Sequence, residues 1–334
     1  MSTKTRYFVV AAVAFLAVGL TTGLVASYMG LTVRVFSRAA GPDELQYVPA
    51  NAAVVAYANV RDVMNSEFRQ RFRQMEPDSH ARDEFQEKTG INIEQDIESV
   101  VAAVMPRAEG STSWSPEGGM IVVARGTQPF RQAQLEALAL EHGGKVEEYK
   151  TKRLLTQSNE SNPQHAMAVA FLDADLVAVG SYDAVKQAID TSGGGASVAS
   201  NTELMKQINE FDNSNAWAVG RFDAIAHEAR LPNEIQARVP AIQWFSAAGH
   251  INGGVSGIVK AEARDEEAAN NLRDVVRGFL GLARMQAGSR PELKAMVDSL
   301  QLGGDGKTVS IAFAVPAEVL DVLESMHKQH AAEK

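Results

Sequence analysis

Hydrophobic and polar positions follow two rhythms along this chain, after an opening stretch that shows neither. From Phe8 to Gly30 there are 23 residues and no charged side chain. At about 1.5 Å rise per residue they make a helix of roughly 34 Å, enough to cross a hydrocarbon core of about 30 Å. Residues 1–7 then form a cytoplasmic N-terminus, 8–30 a transmembrane anchor and 31–44 a linker.

Beyond the linker, alternation predicts a strand at Ala53–Ala58, after which the period changes. Val60, Val63, Met64, Phe68, Phe72 and Met75 fall three to four apart, the stripe of an amphipathic helix. A helix over Asp83–Lys88 with Gly90 as its C-cap follows, then strands at Val100–Met105 and Met120–Ala124. Ala108–Gly118, rich in Ser, Pro and Gly, reads as a loop. A helix over Phe130–Glu141 ends at Gly143-Gly144, and three strands meander through Lys145–Thr156, His165–Leu172 and Leu176–Ser181. Asp183 caps a short helix through Ile189 in this reading.

Thr191–Ser200, with three consecutive glycines, cannot sustain regular structure and marks a linker. Past it come a helix over Thr202–Phe211, a strand at Ala216–Phe222 and short helices at Ala224–Ala229 and Asn233–Val239. Ser246–Ala263 alternates around Gly253-Gly254 as a hairpin or a long bent strand would. Asp265 opens the strongest helix, with Glu266 and Glu267 where the helix dipole favours negative charge. Pro291 starts another helix. Asp305-Gly306 joins Leu300–Leu302 to Thr308–Val315 as a turn, and Pro316 opens a closing helix to Met326.

The order recurs. Ala53–Val63 resembles Ala216–Ala226, Met120–Leu138 resembles Val255–Val275, and Ala166–Val185 resembles Thr308–Leu323. The expected fold class is therefore α+β: one N-terminal transmembrane helix, then two tandem modules, each an antiparallel sheet with helices on one face. The modules occupy 45–190 and 201–326, with 191–200 between them and 327–334 as a tail.

Composition narrows the function classes. Hydrophobic residues make up 45% and charged residues 22% of the 334, which is ordinary globular usage rather than that of a disordered tail. The formal net charge is −9, and Lys4 and Arg6 lie before the apolar run, so the exported body is more acidic still. Nucleic acid is excluded as a partner, because it calls for clustered Lys and Arg. The absence of cysteine removes disulfides, thiol nucleophiles, Cys-ligated zinc and lipid attachment through a lipobox.

Lys4 and Arg6 are balanced by Arg34 and Arg38, so orientation rests on the short basic N-terminus remaining in the cytoplasm. The run is longer than the apolar core of a signal peptide, and Ser37-Arg38-Ala39 is a poor cleavage site, which favours a retained anchor. Gly19, Gly23 and Ser27 form a small-residue stripe at which two membrane helices can approach closely.

Candidate catalytic motifs fail on spacing. Gly303-Gly304-Asp305-Gly306-Lys307-Thr308 resembles the end of a phosphate loop, but Gln301 stands where the first glycine is required and a strand follows. Gly254-Val255-Ser256-Gly257 is no nucleophile elbow, since Ile258 replaces the second glycine. His227-Glu228 lacks a second histidine one turn on, while His327 and His330 share a face near the terminus. Asp173 and Asp175 read as a polar turn.

Tyr47–Gln70 (YVPANAAVVAYANVRDVMNSEFRQ) and Gly257–Gln286 (GIVKAEARDEEAANNLRDVVRGFLGLARMQ) resemble a family of uncharacterised bacterial signal-anchored exported proteins with a domain of unknown function. That resemblance covers most of the exported region and carries over no catalytic residue. The expectation is a non-enzymatic protein without metal or cofactor, held in the inner (cytoplasmic) membrane by its single span with its bulk in the periplasm or outside. Its role is that of an accessory or scaffold subunit in the cell envelope, contacting the membrane, other envelope proteins or itself. A carrier or chaperone for an apolar ligand or an unfolded exported protein is the alternative.

Overall fold

The computed structural model describes residues 42–70, 80–106, 119–157, 167–211, 214–222, 242–287 and 291–316. The anchor at 8–30 with Gly19, Gly23 and Ser27, the helices at 224–229 and 233–239, the closing helix, His227, His327 and His330 all lie outside them. Among the described residues no helix is long and apolar enough to cross a membrane. The chain divides into two compact units, one drawing on 42–61 and 80–211, the other on 62–70 and 214–316.

The first unit is an antiparallel sheet of β1 (Val54–Asn59), β2 (Ile97–Val104), β3 (Met120–Gly126), β4 (Lys145–Tyr149), β5 (Lys152–Gln157), β6 (Met167–Asp173) and β7 (Leu176–Ser181). Its strand order is β1-β2-β3-β7-β6-β5-β4. Val55, Val101, Ile121, Val123, Leu154 and Leu176 are each fully buried. β7 approaches β3 so closely at Gly180 that a Cβ there would stand 2.2 Å from the Met120 carbonyl oxygen.

Helices α1 (Val60–Asn65), α2 (His80–Thr89), α3 (Ile93–Asp96), α4 (Gln132–Glu141), α5 (Tyr182–Ser192) and α6 (Thr202–Ile208) accompany these strands. α1 falls in the second unit from Asp62 onward. Three elements differ from the sequence reading. The stripe from Val60 is interrupted at Ser66, whose hydroxyl donates to the Val63 carbonyl and accepts from the Arg69 amide, ending one turn and capping the next. Lys145–Thr156 is a hairpin and not one strand, turning at Lys150, which adopts φ 56°. α5 starts at Tyr182 after Ser181 and runs to Ser192, so Asp183 lies inside its first turn instead of capping it. Gly193–Gly195 then close it, with Gly194 at φ 104°.

The expectation of helices on one face is also corrected in this unit. α4 packs Leu135 and Ala139 with Val146 and Leu155. α5 instead meets Glu147 and Tyr149 on β4 through Tyr182 and Asp190. Val146 and Glu147 are consecutive, so their side chains leave opposite faces and the two helices cover both. The cause is legible in β7 (LVAVGS), which is buried at five of its six positions rather than at alternate ones.

The second unit orders its strands β8-β9-β10-β12-β11, from β8 (Ala216–Arg221), β9 (Ile242–Ile251), β10 (Gly254–Ala263), β11 (Gln301–Gly303) and β12 (Thr308–Pro316). All pairings are antiparallel. β9 and β10 form a hairpin at Gly253-Gly254, one of the two forms that the alternation there allows. Asn215 extends β8 with its side chain: Nδ2 donates to the Ile251 carbonyl and Oδ1 accepts from the Ile251 amide, at 2.8 and 2.9 Å. Helix α7 (Glu266–Ala287) opens with the Ala268 amide donating to Asp265 Oδ1 at 2.8 Å, and α8 (Pro291–Ser299) follows.

Candidate functional site

Among the described residues, three of the five exposed large hydrophobic side chains lie on α7. Ala269, Leu280 and Ala287 recur at 11 and seven residues, which returns them to one side of the helix, and all three are buried. Ala268 and Leu272 pack with Leu302 against Ala263 and Val309. The two flanks beside this inward stripe differ in character.

One flank is basic. Arg273 Nη2 donates to the carbonyls of Gly306 and Thr308 at 2.8 Å and of Gly304 at 3.4 Å, while Arg284 Nη2 reaches the Leu300 carbonyl at 3.5 Å. Arg277 pairs with Asp274 at 2.7 Å, both well exposed. Between this flank and β11 runs an open groove of about 790 Å³, lined by Arg273, Arg277, Leu280, Arg284, Asp298 and Gly303 among others. The other flank is apolar. Phe279, Leu282 and Met285 are 52%, 56% and 79% exposed, and with Leu140 and Val259 they make up the exposed large hydrophobic residues among those described. Val259 alternates with Ala261 and Ala263 along β10, on the sheet face that carries α7.

The first unit holds a partly buried ionic network, centred on a buried carboxylate, that sequence reasoning missed. Glu44, assigned to the linker, sits in a 3₁₀ turn at Asp43–Tyr47 and is 3% exposed. Its Oε1 accepts from Arg125 Nε at 2.5 Å and from the Ser99 hydroxyl at 2.9 Å. Arg125 Nη1 also donates to Asp175 at 3.0 Å. Burial disfavours the charged guanidinium, but hydrogen bonds and charge from Glu44 and Asp175 outweigh it and raise the Arg125 pKa. Burial, with Asp173 next, pushes the Tyr47 hydroxyl up. The signal was an arginine inside the otherwise apolar MIVVARG; its partner lies 81 residues away.

A third cluster lies on the surface. Tyr149 donates to Asp190 at 3.0 Å, Lys150 pairs with Asp190 at 2.5 Å, and Lys186 stands 4.4 Å from the Tyr149 ring centre and 5.2 Å from that of Tyr182. The Lys150 and Tyr149 bonds hold Asp190 below the usual carboxylate range.

Asp173 and Asp175 do form a turn, joining β6 to β7, with Asp173 accepting from the Ala174 amide. Gly303–Thr308 is likewise a turn, Gly304 and Gly306 taking φ 94° and 53°. His250, on β9, has a buried Nδ1 without a hydrogen-bond partner. Among the described residues no group of three His, Asp or Glu is placed to hold a metal ion.

A family model described as "Protein of unknown function (DUF3352)" matches residues 9–249, a span that ends before β10 and α7. No curated protein matches the chain. The fold is similar to "Structure of crystal form III of TP0453", with a TM-score of 0.52 at 10% identity, over 85% of this chain and 99% of that one. "Structure of crystal form I of TP0453" aligns with a TM-score of 0.48 at 12% identity, over 86% and 98%.

Proposed function

The chain belongs to the DUF3352 family of unknown function, and from that premise we propose that it is a membrane-anchored, extracytoplasmic, non-enzymatic subunit that binds another protein of the cell envelope through α7. The observation that carries this reading is the gathering of Phe279, Leu282 and Met285, all more than half exposed, within seven residues of one helix. Scattered single apolar residues are normal on a protein surface, whereas a contiguous patch marks an interaction site. The uncharged run at 8–30 supports a body held at the membrane, with Gly19, Gly23 and Ser27 as a second contact within it.

The reading also takes the two units as copies of one module. Strand order supports it: β1-β2-β3 followed by α4 has its counterpart in β8-β9-β10 followed by α7. In each unit the last strand of the unit returns beside the third, β7 next to β3 and β12 next to β10. The departures are the β4–β5 hairpin in the first unit and α8 in the second.

A photoreactive amino acid placed at Leu282 of the full chain, irradiated in native membranes, tests the interaction. A discrete higher-mass adduct is expected there, and none with the same group at Leu140, on α4 of the first unit. Equal labelling from both positions, or no adduct from Leu282, overturns the proposal.

A further inference from the structure

We infer that the groove between the basic flank of α7 and β11 receives an extended acidic segment of a partner protein. This rests on the interaction reading above and names the chemistry of what is bound. The exported body is acidic, so a groove with three guanidiniums on one wall is a local exception to its charge. The carboxylate among its lining residues, Asp298, is engaged by Lys294 at 2.5 Å.

The arginines divide by what they already hold. Arg273 is committed to three carbonyls in the turn between β11 and β12 and fixes that end of the groove. Arg277 is engaged with Asp274 in a pair whose side chains are 65% and 70% exposed, an exchangeable contact of little net worth. Arg284 makes one long bond, at 3.5 Å, to Leu300. Arg277 and Arg284 are seven residues apart, roughly 10 Å along the helix, and their forked donors match carboxylates.

The opposite wall calls for an extended occupant. β11 ends the sheet of its unit, and among the described residues no strand pairs with its outer side. A short edge strand is itself a device against unwanted pairing. Here the edge is bordered by arginines reaching carbonyls at both of its ends, so charge selects what may lie beside it. An added Cβ at Gly281, in the lining of the groove, would meet nothing within 4 Å, leaving room for a main chain.

The test is fluorescence anisotropy of a labelled ten-residue peptide alternating Glu and Val, titrated with the full chain in detergent micelles. Saturable binding is expected, weakened at least about tenfold by Arg277→Glu with Arg284→Glu, since like charges across an interface cost several kcal/mol. Gly281→Leu, which fills the groove without changing its charge, is expected to weaken binding too, and a peptide with Lys for Glu should not bind. Absence of binding, indifference to both variants, or displacement of the probe by equally low concentrations of tripolyphosphate overturns the inference. A Leu282 adduct that persists while the probe fails to bind sinks this inference alone. Probe binding without the adduct sinks the interaction proposal instead.

Discussion

Replacing Arg125 by Met removes the guanidinium and leaves the buried Glu44 carboxylate with Ser99 as its remaining hydrogen-bond donor in the network. Charges about 3 Å apart attract by roughly 5 kcal/mol at an effective dielectric of about 20, and desolvation of both groups offsets much of that gain. Once Arg125 is gone the desolvation of Glu44 remains and the attraction does not. Breaking a buried pair in this way costs about 3–5 kcal/mol. Arg125 is 25% exposed, so water fills part of its place and the lower end, about 3 kcal/mol, is expected. That is a large share of the roughly 5–15 kcal/mol that holds a domain folded.

Urea titration of the full chain in micelles, followed by far-ultraviolet circular dichroism, measures the loss as a shifted midpoint of the first unit's transition. Replacing both charges, with Glu44→Leu and Arg125→Met, should return the midpoint to within about 1 kcal/mol of the parent, because apolar replacement of a buried pair is often neutral. A single variant costing under about 1 kcal/mol would refute the reasoning. So would a double variant as unstable as the single one.

Three further outcomes are expected. Asn215→Ala leaves both the amide and the carbonyl of Ile251 without their partner and should cost about 2–3 kcal/mol in the second unit's transition; a cost below about 0.5 kcal/mol would count against this bond pair. Gly180→Ala forces β7 away from Met120 and should abolish or strongly destabilise the first unit's transition, whereas Gly281→Ala on the exposed helix should be neutral or stabilising. Asp190 and Asp265 titrate below their ordinary value of 3.8 in the folded chain, Asp190 through Lys150 and Asp265 through the Ala268 amide. Their contributions are present above pH 3.8 and lost as pH falls through the depressed values; in Asp190→Asn with Asp265→Asn that acid-side slope should be smaller, as read from urea midpoints between pH 5 and about 2.

Much of the fold was legible because local signals agreed with tertiary ones. Gly253-Gly254 between two alternating runs marked the break between β9 and β10, leaving a hairpin or a long bent strand, and Asp265 before Glu266 and Glu267 gave the start of α7. The turn at Asp305-Gly306 followed from residues that accept positive φ. The misses lie where a distant contact decided the matter. Ser66 interrupts an apolar stripe that runs on unbroken, in a segment where the Phe68 amide donates to the Asn252 carbonyl. Lys150 turns at positive φ without a glycine, beside Tyr149 and Asp190. Glu44 looked like linker because its partners, Ser99 and Arg125, lie 55 and 81 residues away. The start of α7 was legible, but which of its residues face outward was not. Phe279 lies two turns from Leu272, which packs inward, and Leu282 lies two residues from the buried Leu280, so only the packing itself separates them.

The size of the native particle tests the central claim most directly. Gentle solubilisation of native membranes followed by single-particle mass measurement should find the chain in an assembly heavier than its own 35.9 kDa, and Leu282→Glu should shift it toward the lone chain. A solitary chain of that mass in the native extract, unchanged by Leu282→Glu, would contradict the account.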